Sequence, residues 1–528
     1  MIATMMAMSV VMLLAVVAVA AVNGDTHLTQ RDLESKQAFE AAKAGVDDYA
    51  FHLSSDKSYW AKCTGVPTPN AVNQVGSTTK QRAVPGNTGA TYAIELLPSA
   101  SQSIYKECST VNPTASMLES GGTLPGSFRI RSTGFSGKAK TSIVATFKPP
   151  SFLDFLYFTQ LETSDPSSYG YPPGSDAEKG AFSQCELTWQ QGRYEDPIPG
   201  TDWNNNGTDD DYCSKISFAS VDTLAGPIHT NDAMAIYGEP TLGRESLDMI
   251  ETSAVSPGWY PTASGSKPKF QGTFVTGAPK LTPPESNSKL KEIATGKYNI
   301  TGESVRICLT GATLKLIKFP TSNSCSAAGE SLPFPPNGVI YVANGACPPT
   351  YSPFTATYFT NPTCGDVYVS GEYSGQLTID ADNNIIITGN LTKTTSSEGM
   401  LGLIATNFVR VFHNYPNEKI NATTRAIECG SSSGEERLSD IKITAAILAL
   451  RHSFVVDHYN CGSPMGDLNL TGAVAQKFRG AVGTGNGATM STGYAKDYLY
   501  DNRLRYLEPP SFINPAPTTW VIGRETIG

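Results

Sequence analysis

Charge is scarce in this chain. Asp, Glu, Lys and Arg make up 16% of its 528 residues, against roughly 25% in an ordinary soluble protein. The charge present leans acidic, at a formal net −9 with a pI near 5.3. No Lys/Arg tract is clustered, so a nucleic-acid partner, which demands a basic surface, is excluded. No C-x-x-C pair occurs, which removes zinc-ribbon spacing and thioredoxin-type redox chemistry. An H-E-x-x-H helix and a P-loop are absent too, and with them the metalloprotease and nucleotide signatures. Met1 to Gly24 contain no charged side chain at all.

What replaces charge is Gly (48), Pro (35), Ser, Thr and Asn, a mixture that suits turns and short strands better than long helices. The length exceeds what one core usually fills, so two or three structural units are expected. Ten cysteines are even in number and can pair in an exported compartment. Pairing sequence neighbours gives Cys63–Cys108, Cys185–Cys213, Cys308–Cys325, Cys347–Cys364 and Cys429–Cys461. Spacing alone leaves other connectivities open.

The first residues are the most informative. Ile2 to Val22 are almost entirely Met, Val, Ala, Leu and Ile, and a helix rising ~1.5 Å per residue over that run spans a hydrocarbon core of ~30 Å. A transmembrane helix over 1–24 is therefore expected, placing the remainder outside the cytoplasm. A cleaved signal ending at Ala18-Val19-Ala20 is the alternative. Asp25 to Ala44 lack Gly and Pro and are rich in helix formers. Phe39, Ala42, Val46, Tyr49/Ala50 and Leu53 recur at spacings of three and four. They predict an amphipathic continuation over 25–55, with that stripe on a sheet and Glu34, Lys36, Glu40, Lys43 and Asp47 towards water.

Lys36-Gln37-Ala38-Phe39-Glu40-Ala41-Ala42-Lys43-Ala44-Gly45, directly after an apolar helix, resembles the PilX-like minor pilins and pseudopilins of type IV pili and type II secretion systems. The resemblance covers about the first fifty-five residues. It implies a pilin-like helix and small sheet, other pilin-like subunits as partners, and placement in a surface filament. The basic leader and early mature Glu of that family do not stand in this sequence. The expectation is that the start lies upstream of Met1 or that the chain is not processed as a prepilin.

Ala90–Leu97, Ser127–Ser132 and Lys140–Phe147 read as alternating strands, which predicts a pilin-like β domain over 56–150. Residues 151–216 are rich in Pro, Gly and Asp and read as a loop-rich linker tethered by Cys185–Cys213. From Ser217 the chain turns to short strands between Gly/Asn/Asp turns, among them Gly365–Gly371, Gln376–Ile379, Asn384–Leu391 and Met400–Ala405. That ladder resembles right-handed β-helix envelope proteins, so 217–528 is expected to be a β-solenoid ectodomain, with a β-sandwich as the alternative. Gly226–Asp232, Gly462-Ser-Pro and Ala475–Gly480 resemble uncharacterised bacterial envelope proteins that also begin with a pilin-like helix. The expected fold class is mainly β with a long N-terminal α-helix.

Chemistry is thinly marked. His229-Thr230-Asn231-Asp232, with His452 and Asp457-His458, offers bases and acids, yet Asn231-Asp232 more simply forms an Asx turn. Asp202, Asn204, Asn206 and Asp209 alternate around Gly207 like the first half of a calcium loop, but Cys213 stands where the bidentate Glu belongs. A solvated acidic turn is the plainer reading. Tyr is plentiful (23), and a surface glycan is a further candidate partner. The expectation is a non-enzymatic, membrane-anchored surface protein without cofactor, calcium apart, in which display suggests adhesion. A polysaccharide-binding or polysaccharide-cleaving β-helix on a simple anchor is the rival.

Overall fold

The computed structural model describes residues 2–56, 59, 81–86, 89–97, 127–148, 151–169, 175–193, 213–246, 248–347, 356–420, 427–505, 507–515 and 521–527, with side chains on the first helix from 29 onward. The side chains of the apolar run 1–24, the candidate calcium residues Asp202, Asn204, Asn206 and Asp209, and the pair Cys63 and Cys108 lie outside that set. Among the described side chains no helix is long and apolar enough to cross a membrane. The chain forms two compact units, 1–150 with 517–528, and 151–516.

The first unit is a helix on a sheet. Helix α1, Ile2–Ser55, runs without a break, and between Gly24 and Gly45 no Gly or Pro stands to interrupt it. Strands β1 (Arg82–Ala83), β2 (Thr91–Leu97), β3 (Phe128–Ser136) and β4 (Ala139–Lys148) follow in antiparallel order, and the C-terminal strand Val521–Ile527 closes the far edge on β4. The last residues thus belong to this sheet, which corrects their assignment to the ectodomain. Ala38, Ala42, Val46, Tyr49 and Leu53 are buried on the sheet side. Tyr49 meets Phe128 and Phe147 at 6.1 and 5.6 Å, and each large side chain so buried contributes about 1.5–3 kcal/mol.

Small residues set how near the helix lies. A Cβ on Gly134 of β3 would stand 1.9 Å from the Ala38 carbonyl oxygen and 2.4 Å from the Ala42 nitrogen. One on Gly45 would stand 2.2 Å from Ser132 Oγ. The Ala-Ala-x-x-Gly run is therefore the groove that lets helix and sheet backbones approach. Lys36, Glu40, Lys43 and Asp47 face water, while half-buried Glu34 accepts from the Lys138 amide at 3.1 Å.

The second unit is built on a parallel ladder. Its strands lie in the order 299–301, 339–343, 376–381, 400–405, 442–449, 464–478, 157–161, 228–230, 249–252 and 273–276, each parallel to the next. Further parallel ladders flank it, through 305–311, 367–373, 385–393, 409–411 and 454–456, and through 464–472, 493–500, 223–225, 241–242 and 269–270. Parallel strands buried on both faces carry continuous apolar runs, which is why Ile385, Ile386 and Ile387 are all 0% exposed.

The ladder is not read in chain order. Tyr157–Leu161 enters at its middle, between 474–478 and 228–230. This segment, expected to lie in a linker, is a central strand because Tyr157, Phe158 and Leu161 are apolar on both faces. From 276 the chain must reach the opposite end at 299. At ~4.8 Å per strand, that crossing covers on the order of 40 Å. Residues 277–298 make it as a strap along the stack. Leu281 exchanges hydrogen bonds with the Asn231 side chain at 2.7 and 3.0 Å. Asn287 donates to Asp380 and, at 3.4 Å, to the Ala381 carbonyl. Leu290 then enters the core.

Asp380 carries a testable consequence. It is 0% exposed, Oδ2 has no hydrogen-bond partner among the described residues, and burial holds its carboxyl well above the usual range despite the Asn287 amide. The folded chain therefore binds this proton more tightly than the unfolded chain. The corresponding stability is present below the unfolded pKa of about 3.9 and is lost as pH rises through the folded value. Asp380→Asn keeps the acceptor for Asn287 and removes the charge. It should stabilise the protein at pH 7.5 by at least about 1.4 kcal/mol, the worth of one tenfold change in proton affinity, and change little at pH 4. Denaturation midpoints at the two pH values check this, and an equal effect at both would refute it.

Candidate functional site

All four histidines of the second unit sit on carboxylates, in different places. His229 lies in the stack, its Nδ1 3.0 Å from Glu251 Oε2 and its Nε2 3.1 Å from Asn231 Oδ1, with its ring over Phe158. The same register that pairs Phe158 with His229 pairs His229 with Glu251. Asp232 is engaged by the Arg193 guanidinium and by the amides of Glu162 and Trp189 at 3.1 and 2.8 Å. His452 Nδ1 is 2.8 Å from Asp165 Oδ2. These residues organise packing.

His458 is differently placed. With Glu418 it lines a cleft of about 600 Å³ whose walls include Tyr358, Phe359, Phe412 and Tyr415, with Asn323, Asn414 and Glu436 among the polar groups. His458 Nε2 lies 3.1 Å from the Ala356 carbonyl, and Nδ1 contacts Glu418 Oε2. A carbonyl only accepts, so Nε2 carries a proton and one further proton is shared between Nδ1 and the carboxyl. Burial pushes the Glu418 carboxyl up, opposed by His458. Next to it, His413 repeats the arrangement, with Nδ1 3.1 Å from the Asp457 carbonyl and Nε2 3.2 Å from Glu435 Oε1. The two rings meet edge-on at 6.2 Å.

Beneath the pair, Asp457 takes a bidentate contact from Arg410 at 3.0 and 2.9 Å, and the Tyr358 hydroxyl at 2.7 Å. The backbone is held unusually here, with Phe359 at φ 62° and His458 at φ 46°. Non-glycine residues in that region cost on the order of 1 kcal/mol or more each, a cost met where a site over-determines the chain.

Disulfides frame this cleft. Four are described, Cys185–Cys213, Cys308–Cys325, Cys347–Cys364 and Cys429–Cys461, each joining sequence neighbours as the spacing suggests. Thr321–Asn323 lie inside the second loop, Ala356–Thr360 inside the third, and Glu436 and His458 inside the fourth. Glu418 pairs with Cys429 across a short hairpin, so the Cys429–Cys461 bond draws Glu418 towards His458.

The cleft offers aromatic faces for stacking and shared protons for hydrogen bonding. Among the described residues no serine, threonine or cysteine hydrogen-bonds a histidine there. Gly430-Ser431-Ser432-Ser433-Gly434 spells a nucleophile-elbow pattern, but its serines are exposed in a turn between short strands, without the strand-to-helix setting that motif needs. No group of His, Cys, Asp and Glu among the described residues could hold a metal. Asp457 and His458 were visible in the sequence as candidates. Tyr358, His413 and Glu418 carried no local signal, since loops distant in sequence bring them together.

No protein-family model and no curated protein matches the chain. Among solved structures, the competence-associated pilin ComZ from Thermus thermophilus aligns over 94% of this chain and 98% of its own, at 14% identity and a TM-score of 0.28.

Proposed function

We propose that this is a non-enzymatic, pilin-like component of a surface filament or related secretion system, whose β-helix-like second unit is displayed for contact or adhesion. One observation carries the reading. A single unbroken helix, Ile2–Ser55, is apolar by sequence in its first turns and packs its later turns, through Ala38, Ala42 and Val46, on an antiparallel sheet. Such a helix anchors in lipid or a filament core at one end and carries a folded body at the other. The parallel ladders of the second unit support the β-helix description, with the chain entering at mid-stack. Shearing filaments from cells and probing filament and membrane fractions tests the proposal. Recovery with filaments is expected, and complete retention in the membrane would overturn it.

The aromatic walls of the Glu418–His458 cleft favour a second reading, a surface protein that binds polysaccharide. Binding on a glycan panel that is lost in Tyr358→Ala and Tyr415→Ala would move the assignment to it.

A further inference from the structure

Most buried ion pairs of the second unit use arginine, as in Arg193–Asp232, Arg410–Asp457 and Arg479–Glu162. Arginine stays protonated and is no nucleophile. One pair differs. Lys496 and Asp222 have side chains 8% and 4% exposed, and Nζ stands 3.3 and 3.2 Å from Oδ1 and Oδ2. Among the described residues it is the one lysine–carboxylate pair buried on both sides. The parallel register that sets Asp497 beside Thr223 places Lys496, on one strand, beside Asp222, the residue that leads into the next.

From this geometry we propose that Lys496 and Asp222 condense into an intramolecular isopeptide bond. The uncharged Lys496 amine attacks Asp222 Cγ. The Nζ–Cγ bond forms, one Cγ–O bond breaks, and the departing oxygen leaves as water with one proton from the amine and one from the carboxyl. No electrons are exchanged with another species. Asp222 Oδ2 accepts the Ala219 amide at 3.0 Å, so this oxygen stays as the amide carbonyl and the N–H stabilises the negative charge it gains in the tetrahedral intermediate. Oδ1 departs.

Burial supplies the driving force. In water the reaction is opposed by the hydration of ammonium and carboxylate, but here both are already stripped of it, and passing one proton across the pair gives two neutral groups. Burial, helped by the Arg479 charge, lowers the proton affinity of Lys496 against the opposing pull of Asp222 and Glu162. Burial also raises the carboxyl of Glu162, whose Oε1 has no hydrogen-bond partner among the described residues. Glu162 is thus a second buried carboxyl able to carry a proton. The bond would close residues 222–496 into a covalent loop holding every strand of the central ladder except Tyr157–Leu161.

Intact mass of the full chain tests this. After allowing two hydrogens per disulfide, the wild-type protein should be lighter than its sequence by one water. Digestion should yield one peptide joining the segments around Lys496 and Asp222. Lys496→Arg and Asp222→Ala should each restore the missing water. A wild-type protein of full mass would overturn the proposal without reference to any variant, and so would a lost water located in another peptide.

Discussion

Arg479→Met is expected to destabilise the protein by about 3–5 kcal/mol, the cost of removing one partner from a buried pair and leaving the other. Arg479 and Glu162 are both 0% exposed and meet at 3.0 Å. The guanidinium also donates to the Ser217 carbonyl at 3.2 Å and lies 3.6 Å over the Phe218 ring. These contacts tie two mid-stack neighbours far apart in sequence, where 474–478 pairs with 157–161. Burial already raises the Glu162 carboxyl against the pull of Arg479. Without that cation its proton affinity climbs further, so the deficit should be largest above neutral pH and shrink as pH falls and Glu162 takes up a proton. Glu162→Gln in the same chain should recover much of the loss, because no charge then remains to bury. Thermal or urea denaturation of the four chains in the cycle measures it. A single-variant loss below about 1 kcal/mol would mean that the pair contributes no more than a surface bridge.

These pairs also explain how far the fold could be read. Helix α1 and its buried stripe were legible because one face repeats at helical spacing, and the fit of Ala42 and Gly45 to the sheet follows from their size. The strands of the stack were legible too, since Ile385–Ile387 and Met400–Ala405 are continuous apolar runs. Their order was not. Any of these runs could stack on any other by hydrophobicity alone, and the choice of Tyr157–Leu161 as neighbour to 474–478 rests on contacts such as Arg479–Glu162, separated by 317 residues. Charge placed inside a strand stack costs too much to bury unpaired, so it selects the partner that pairs it. The C-terminal strand was hidden for a related reason, because Val521–Ile527 finds its partner β4 far back in the chain. The cleft was half legible. Sequence flagged His458, whereas Glu418 became its partner only through a hairpin and a disulfide.

That disulfide should control the cleft more than the fold. Cys429 and Cys461, 32 residues apart, close a loop whose restriction of the unfolded chain is worth roughly 3–4 kcal/mol in the chain-entropy account. Around it lie the strands 418–420 and 427–429, which among the described residues pair only with each other. The ladder strand Lys442–Ala449, by contrast, is held on both sides by 400–405 and 464–478. In Cys429→Ser/Cys461→Ser the hairpin should therefore open while the ladder stays closed, because local stability follows local burial and pairing. Amide exchange at 414–420 and 427–436 is expected to accelerate by two or more decades, about 3 kcal/mol of lost protection. Exchange at 443–449 should be unchanged. Glu418 then leaves its buried setting, and the burial that pushes its carboxyl up is relieved. Uniform acceleration across both segments would show that the bond supports the whole unit. No acceleration anywhere would show that Glu418–His458 and the hairpin contacts hold the cleft without it.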